Sequence, residues 1–183
     1  MRAVDVQSEI TQVLVTEEQI LARLDEIAAQ VAEDYEGKDL LLVGVLKGAI
    51  MVMADFSRAL PALAPIDWMA VSSYGAGTRS SGVVQIRKDL DTDILGKHVL
   101  IVEDIIDSGL TLSWLLENFA ARGAASVEVF ALFRKPEAAK VQVDCRYVGF
   151  DIPNEFVVGY GLDYAERYRN LRDVAVLAPH VYS

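Results

Sequence analysis

The stretch from Val99 to Ser113, VLIVEDIIDSGLTLS, constrains the fold more tightly than any other part of the chain. Val99, Leu100, Ile101 and Val102 are apolar at consecutive positions and rich in β-branching, the pattern of a strand buried on both faces. Glu103 and Asp104 end that run, and a turn carrying Asp107, Ser108 and Gly109 follows. Leu112, Leu115, Leu116 and Phe119 then recur at helical spacing, which predicts a helix from near Thr111 with one face on a sheet.

A strand, a small-residue turn and a helix N-terminus together make an anion site. The first helical N–H groups lack internal partners, and the helix dipole adds positive charge there. Gly109 allows close backbone approach, and the Ser108 and Thr111 hydroxyls can donate to phosphate oxygens. Glu103 and Asp104 would oppose a bare phosphate, but they suit sugar hydroxyls or a divalent cation that takes oxygen ligands. The plainer alternative is an ordinary βα turn with Ser108 as helix cap and solvated acids.

Other segments repeat the alternation. Thr16 and Gln19 have capping-box spacing, Val15 can pack on Ile20, and Ile20, Leu24, Ile27 and Val31 form a buried stripe that closes at Gly37. Asp39 to Leu46 reads as a second buried strand, running into Lys47-Gly48-Ala49 and an apolar helix that ends near Leu60. Lysine followed by glycine at the carboxyl end of a strand is well placed to hold an anion, although an arbitrary lysine is more often simply solvated. Ile66 to Ser72 and Val83 to Arg87 read as strands flanking a glycine-rich loop, either a long hairpin or a lid. Ser126 to Phe133 is another β-rich run, before Arg134-Lys135-Pro136.

This order predicts an α/β fold, a doubly wound, mostly parallel sheet with ligand groups at its carboxyl edge. Lys47, Glu103, Asp104, Asp107 and Lys135 all fall at strand ends on that edge. The tail from Tyr147 to Arg169, rich in aromatics and short β-rich runs, does not fit another βα unit and reads as a small hood. The expected organisation is one domain over residues 1–183, with a core near 38–140 and a hood from the N-terminal segment and about 141–183.

Composition narrows the function. With 183 residues and 52% hydrophobic content, the chain can bury a substantial core. A net charge of −10 argues against a nucleic-acid surface. The single cysteine, Cys145, forms no internal disulfide and fits a reducing compartment. The start MRAVDVQSEI lacks the apolar core of a signal peptide, and no run is long enough to span a bilayer. A cytoplasmic protein without membrane or nucleic-acid partners is expected.

VEDIIDSGLT closely resembles the phosphoribosyl-pyrophosphate signature of the type I phosphoribosyltransferases, most closely the hypoxanthine-guanine branch. Leu46-Lys47-Gly48 resembles that family's pyrophosphate loop, in which the peptide bond before the lysine can be cis. Ser73-Tyr74 matches the start of its flexible catalytic loop, and VGFDIPNEFVVGYGLDY resembles its base-binding segment, with Gly161 a mild departure from the alanine often expected there. The resemblance runs from the first helix to Arg169. It implies transfer of a phosphoribosyl group to a 6-oxopurine, with magnesium accompanying the pyrophosphate.

Site roles follow from the same resemblance. Lys47, the Gly48 amide and Arg169 would bind the diphosphate. Glu103 and Asp104 would take the ribose hydroxyls directly or through magnesium, and Asp163, beside the base, would hold a second magnesium. Asp107, Ser108, Gly109, Leu110 and Thr111 would cradle the 5′-phosphate, with Asp107 also the catalytic base. Lys135 would donate to the purine 6-oxo group, Phe156 would stack on the ring and the Val157 backbone would read its edge. The family forms homodimers and homotetramers. No side chain separates hypoxanthine and guanine from xanthine, so a xanthine-preferring enzyme stays open. An RNA-binding regulator of the same fold is opposed by the acidic balance and by the intact Lys47, Asp107 and Lys135 set.

Overall fold

The inner strands of the central sheet alternate their side chains between two apolar layers, and those layers set the architecture. A computed structural model describes residues 1–73 and 84–182. The chain opens with β1 (Ile10–Val15) and α1 (Glu17–Asp34), and Thr16 caps α1 as expected: its hydroxyl accepts from the Gln19 N–H at 3.3 Å while the Gln19 side chain accepts from the Thr16 N–H at 2.9 Å. Then come β2 (Leu40–Leu46), α2 (Ile50–Ala59), β3 (Ile66–Ser73), β4 (Val84–Lys88), β5 (His98–Ile106), α3 (Leu110–Ala121), β6 (Ser126–Arg134) and β7 (Tyr147–Asp151). A second sheet uses β8 (Val157–Val158) and β9 (Val174–Leu177), and a short α4 (Pro179–Tyr182) follows.

On one face of the central sheet Leu40, Leu42, Leu100, Val102, Phe130 and Leu132 pack with Ile20, Leu24, Ile27 and Val31 of α1 and with Val52, Met53 and Phe56 of α2. On the other, Leu41, Val43, Val45, Val99, Ile101, Val129 and Ala131 pack with Leu112, Leu115 and Phe119 of α3. Helices thus cover both faces, which is why these strands read as continuous apolar runs rather than alternating ones.

The sheet order is β4-β3-β2-β5-β6-β7, with β4 antiparallel to β3 and the other pairs parallel. From β2 the chain proceeds through α2 to β3 on one side, and from β5 through α3 to β6 on the other. The order therefore reverses between β2 and β5, so the crevice lies beyond their carboxyl ends.

Two expectations are corrected. Glu103 and Asp104 do not end their strand: β5 continues to Ile106, because its ladder to β6 runs on from Glu103↔Ala131 to Ile106↔Arg134. The hood also does not take all of the chain beyond residue 141. Tyr147–Asp151 is a sixth strand of the central sheet, parallel to β6. Tyr147 is buried and its hydroxyl donates to Asp34 at 2.7 Å, while Arg134 pairs with Asp151 through two bonds of 2.7 and 3.0 Å. No α-helix lies in the 135–146 crossover, so the helical signal that marks a βα unit is missing there.

The hood proper is the antiparallel sheet β1-β9-β8. Buried Asp173 ties it to the N-terminal segment, accepting from the Glu17 N–H at 3.1 Å and the Ala3 N–H at 3.3 Å. No helix among the described residues is long and apolar enough to cross a membrane.

Candidate active site

The turn after β5 is built around Gly109, the N-cap of α3 at φ +79°. A Cβ there would lie 2.5 Å from the Val141 carbonyl oxygen, so both the conformation and the space require glycine. The Ser108 carbonyl accepts from the Lys140 and Val141 N–H groups at 3.0 and 3.1 Å, fixing the turn from behind. Ser108 is not the N-cap; its hydroxyl accepts from the Leu110 N–H at a long 3.5 Å. In front lies a cavity of about 170 Å³ lined by Glu103, Ile105, Ile106, Asp107, Ser108, Gly109, Thr111 and Leu112. Its mouth combines helix N–H groups with two hydroxyls, the donor set for a phosphate. The Asp107 side chain is exposed and makes no hydrogen bond among the described residues, so it does not cap α3.

Glu103 is 7% exposed, and burial, with Asp104 beside it, pushes its carboxyl well above the usual range. Burial also pushes Asp104 up, to about 6, although the Ile105 N–H donates to it at 2.8 Å. Among the described residues no protein cation pairs with Glu103. Two carboxyls at a sheet edge with little to satisfy them are suited to a partner supplied from outside the chain.

The loop after β2 approaches these acids. The Leu46–Lys47 peptide is cis, and Gly48 packs so closely on Asp104 that a Cβ would overlap its Oδ2. On the hood side Gly161, at φ +101°, lies against the Gly48 carbonyl oxygen, and a Cβ there would overlap it. Glycine at this position is therefore no mild departure: an alanine would require the Lys47–Gly48 loop to shift. Lys47 reaches Glu166 at 3.1 Å, and Arg169 reaches the same Glu166 oxygen at 3.3 Å and Asp163 at 2.8 Å. These two cations hold the Glu166 carboxyl below its usual value, Lys47 first. Arg169 also donates to the Gly161 carbonyl at 2.8 Å, while its buried Nε has no partner among the described residues.

Glu103 and Asp104 on β5 and Asp163 on the hood side, expected at two separate magnesium ions, are carboxyl groups of the kind that take hard cations. Among the described residues no three such side chains are arranged to hold an ion, and Asp163 is engaged by Arg169 and by the Glu166 N–H at 2.9 Å. The oxygen-only donors fit magnesium in the form it usually takes, one or two carboxylates supplemented by substrate phosphates.

Lys135, directly after β6, is 9% exposed. Its backbone N–H donates to the Ile106 carbonyl at 3.0 Å, and its side chain has no partner among the described residues. Val157 is buried in β8 opposite Val176, and Phe156 stands just before it, 40% exposed. Ser73 is the last residue of β3; Tyr74 and the rest of the expected catalytic loop lie outside the described residues. The structure thus brings Lys47, Gly48, Asp104, Asp163 and Arg169 together on the β2 side of the crevice, and Glu103 and Asp107–Thr111 around the cavity on the β5 side. Sequence reasoning missed Glu166, whose partner Lys47 is distant in sequence and which no motif marks.

A parallel sheet with its order reversed beside a phosphate cradle defines the class. Residues 12–165 match the phosphoribosyl transferase domain family, and the chain belongs to that family, with its type I phosphoribosyltransferase fold. Among its relatives, the hypoxanthine-guanine phosphoribosyltransferase of Mycobacterium tuberculosis is 55% identical over 180 residues, spanning 95% of this chain and 89% of that one. That of Bacillus subtilis is 49% identical over 174 residues, spanning 95% and 97%. A crystal structure of a hypoxanthine phosphoribosyltransferase from Staphylococcus aureus matches with a TM-score of 0.95 at 46% identity, covering 98% of this chain and 97% of that one.

Proposed function

We propose that this chain is a purine-salvage enzyme that transfers the 5-phosphoribosyl group from phosphoribosyl pyrophosphate to hypoxanthine or guanine, releasing pyrophosphate and giving the nucleoside 5′-monophosphate. The observation that carries the reading is the convergence on one crevice of a phosphate cradle, two poorly satisfied carboxyls and a cationic loop, as this reaction needs. The enzyme works as one domain, core and hood together, in the cytoplasm and as a homodimer or homotetramer.

The bond from C1′ to the pyrophosphate oxygen breaks, and a bond from C1′ to purine N9 forms. The ribose is oxocarbenium-like between these events, so the leaving group carries the charge that must be neutralised. Lys47, the Gly48 amide and Arg169 take that role, and Glu166 must release both cations when the substrate arrives. Magnesium, held by Asp104 or Asp163 together with substrate oxygens, supplies further positive charge when bound. Glu103 and Asp104 hold the ribose hydroxyls, and Asp107 to Thr111 hold the 5′-phosphate. The Asp107 carboxylate, solvated and unengaged, accepts the proton that the purine ring loses. Lys135 donates to the 6-oxo group, Phe156 stacks on the ring and the Val157 backbone reads its edge.

An ammonium donates hydrogen bonds and accepts none, so a 6-amino purine opposite Lys135 leaves a donor facing a donor. A turnover panel of hypoxanthine, guanine, xanthine and adenine with phosphoribosyl pyrophosphate and magnesium tests the reading. Strong turnover of the first two and rejection of adenine are expected. Preferential use of xanthine would reassign the substrate, and good use of adenine would refute the role of Lys135.

A further inference from the structure

Phe156 has little packing of its own for a residue meant to present a flat face. It lies on the irregular 152–156 segment before β8 and is 40% exposed. Two other rings meet it. Tyr182 stacks on it with centroids 4.9 Å apart and planes 23° apart, and Tyr164 meets it edge-on at 5.7 Å and 86°. Tyr164 and Tyr182 also touch each other, at 6.4 Å and 64°. These are the offset and edge-to-face arrangements that aromatic quadrupoles favour.

The backbone delivers Tyr182 to that position. The Leu177 N–H donates to the Phe156 carbonyl at 2.8 Å, the Ala178 N–H to Glu9 at 2.8 Å and the Val181 N–H to Ala178 at 2.9 Å, so the turn into α4 is fixed beside Phe156. Tyr164 directly follows Asp163, and its N–H and carbonyl are both bonded to Arg167. Tyr182 thus covers one face of Phe156, while 40% of the residue stays exposed.

We infer that Tyr182 is a positioning residue for the purine: it braces Phe156 from behind, so the free face of that ring is set for a flat heterocycle before the base arrives. This rests on Phe156 being the ring on which the base stacks. A ring already held loses less rotational freedom when the base binds, and misplacement of a stacking face is felt in base affinity rather than in ribose chemistry. The Tyr182 hydroxyl makes no hydrogen bond among the described residues, so the ring is the active part.

Steady-state kinetics of Phe156→Ala, Tyr182→Ala and Tyr182→Phe, with melting temperatures and sedimentation, test this. Tyr182→Ala is expected to raise KM for hypoxanthine by about three- to tenfold, the worth of one aromatic pair. KM for phosphoribosyl pyrophosphate, association state and Tm should stay near wild type, and Tyr182→Phe should restore wild-type behaviour. If Phe156→Ala raises the base KM but Tyr182→Ala leaves it unchanged or lowers it, the bracing role is wrong while the stacking role stands. If Phe156→Ala leaves the base KM unchanged, both fail. Equal changes in both KM values, a changed association state, or Tyr182→Phe behaving like Tyr182→Ala would also overturn the inference.

Discussion

Carboxyls at opposite ends of the same sheet, Asp67 at one and the Glu103–Asp104 pair at the other, are treated in opposite ways. Asp67, at the amino end of β3, is 5% exposed and accepts N–H groups from Trp68, Asp91 and Thr92 at 2.7, 2.9 and 2.8 Å, with the Lys88 ammonium 3.7 Å away. Burial alone would raise its carboxyl, but the hydrogen bonds from Thr92 and Trp68 and the Lys88 charge outweigh it and hold the group below its usual range. Glu103 and Asp104, at the carboxyl end of β5, are raised by burial with little to offset it. Asp67 is a finished structural joint between β3 and the segment after β4. The acid pair at the other end is left with unmet demand, which a ligand can meet.

The largest expected effect tests whether the loaded edge carries chemistry rather than stability. Asp107→Asn keeps the shape of the side chain but cannot accept a proton, so turnover should fall by about 10²–10⁴-fold. Its Tm should stay near wild type, because the Asp107 side chain makes no hydrogen bond among the described residues. Normal turnover would move the proton transfer elsewhere.

Next comes Lys135→Ala. Loss of a charged hydrogen bond in a buried place should raise KM for hypoxanthine by about 10- to 100-fold, with a smaller change for phosphoribosyl pyrophosphate. Equal rises in both would remove Lys135 from base recognition.

The two acid sets should also answer pH in opposite directions. For Asp67 the folded value lies below the unfolded one, so its contribution is present above the ordinary carboxylate range and lost as pH falls through the folded value. Asp67→Asn should therefore cost about 1–3 kcal/mol at pH 7 and less in acid. For Asp104 the folded value, about 6, lies above the unfolded one, so in the substrate-free protein this group favours folding at low pH and loses that contribution as pH rises to about 6. Asp104→Asn should raise Tm of the substrate-free protein above pH 6, with the difference shrinking toward pH 4. Chemical denaturation from neutral pH to below the ordinary carboxylate range checks both signs, and parallel profiles for the two variants would erase the contrast.

How much of this was legible in the sequence follows a physical line. The buried strands, the Thr16 capping box and the β5 turn into α3 are written in local patterns, so their types and approximate positions could be read directly. The ligand edge followed from them, because parallel strands joined by crossovers place Lys47, Asp107 and Lys135 on one side. What could not be read depends on distant partners. β5 runs past its two acids only because β6 continues beside it, and β7 joins the sheet through a crossover without an α-helix. The constraint on Gly161 comes from the Gly48 carbonyl, and the occupation of Lys47 and Arg169 by Glu166 comes from a turn with no motif of its own.

That last feature gives the smallest predicted effect. Glu166→Gln should lower KM for phosphoribosyl pyrophosphate by about two- to fivefold, since it removes an exposed anion that competes for Lys47 and Arg169. A raised KM would make Glu166 a support for the substrate rather than a competitor.

The contrast between the two ends is tested most directly by thermal shift with magnesium and phosphoribosyl pyrophosphate added together. At about 100 times the dissociation constant the ligand should stabilise wild type by about 2.7 kcal/mol, or roughly 5–10 °C in Tm. Asp67→Asn should start from a lower Tm and gain the same increment. A double variant, Glu103→Gln with Asp104→Asn, should fold and gain little or none. If the double variant kept the full increment, or if Asp67→Asn lost it, the carboxyl edge of β5 would not be where this protein holds its substrate.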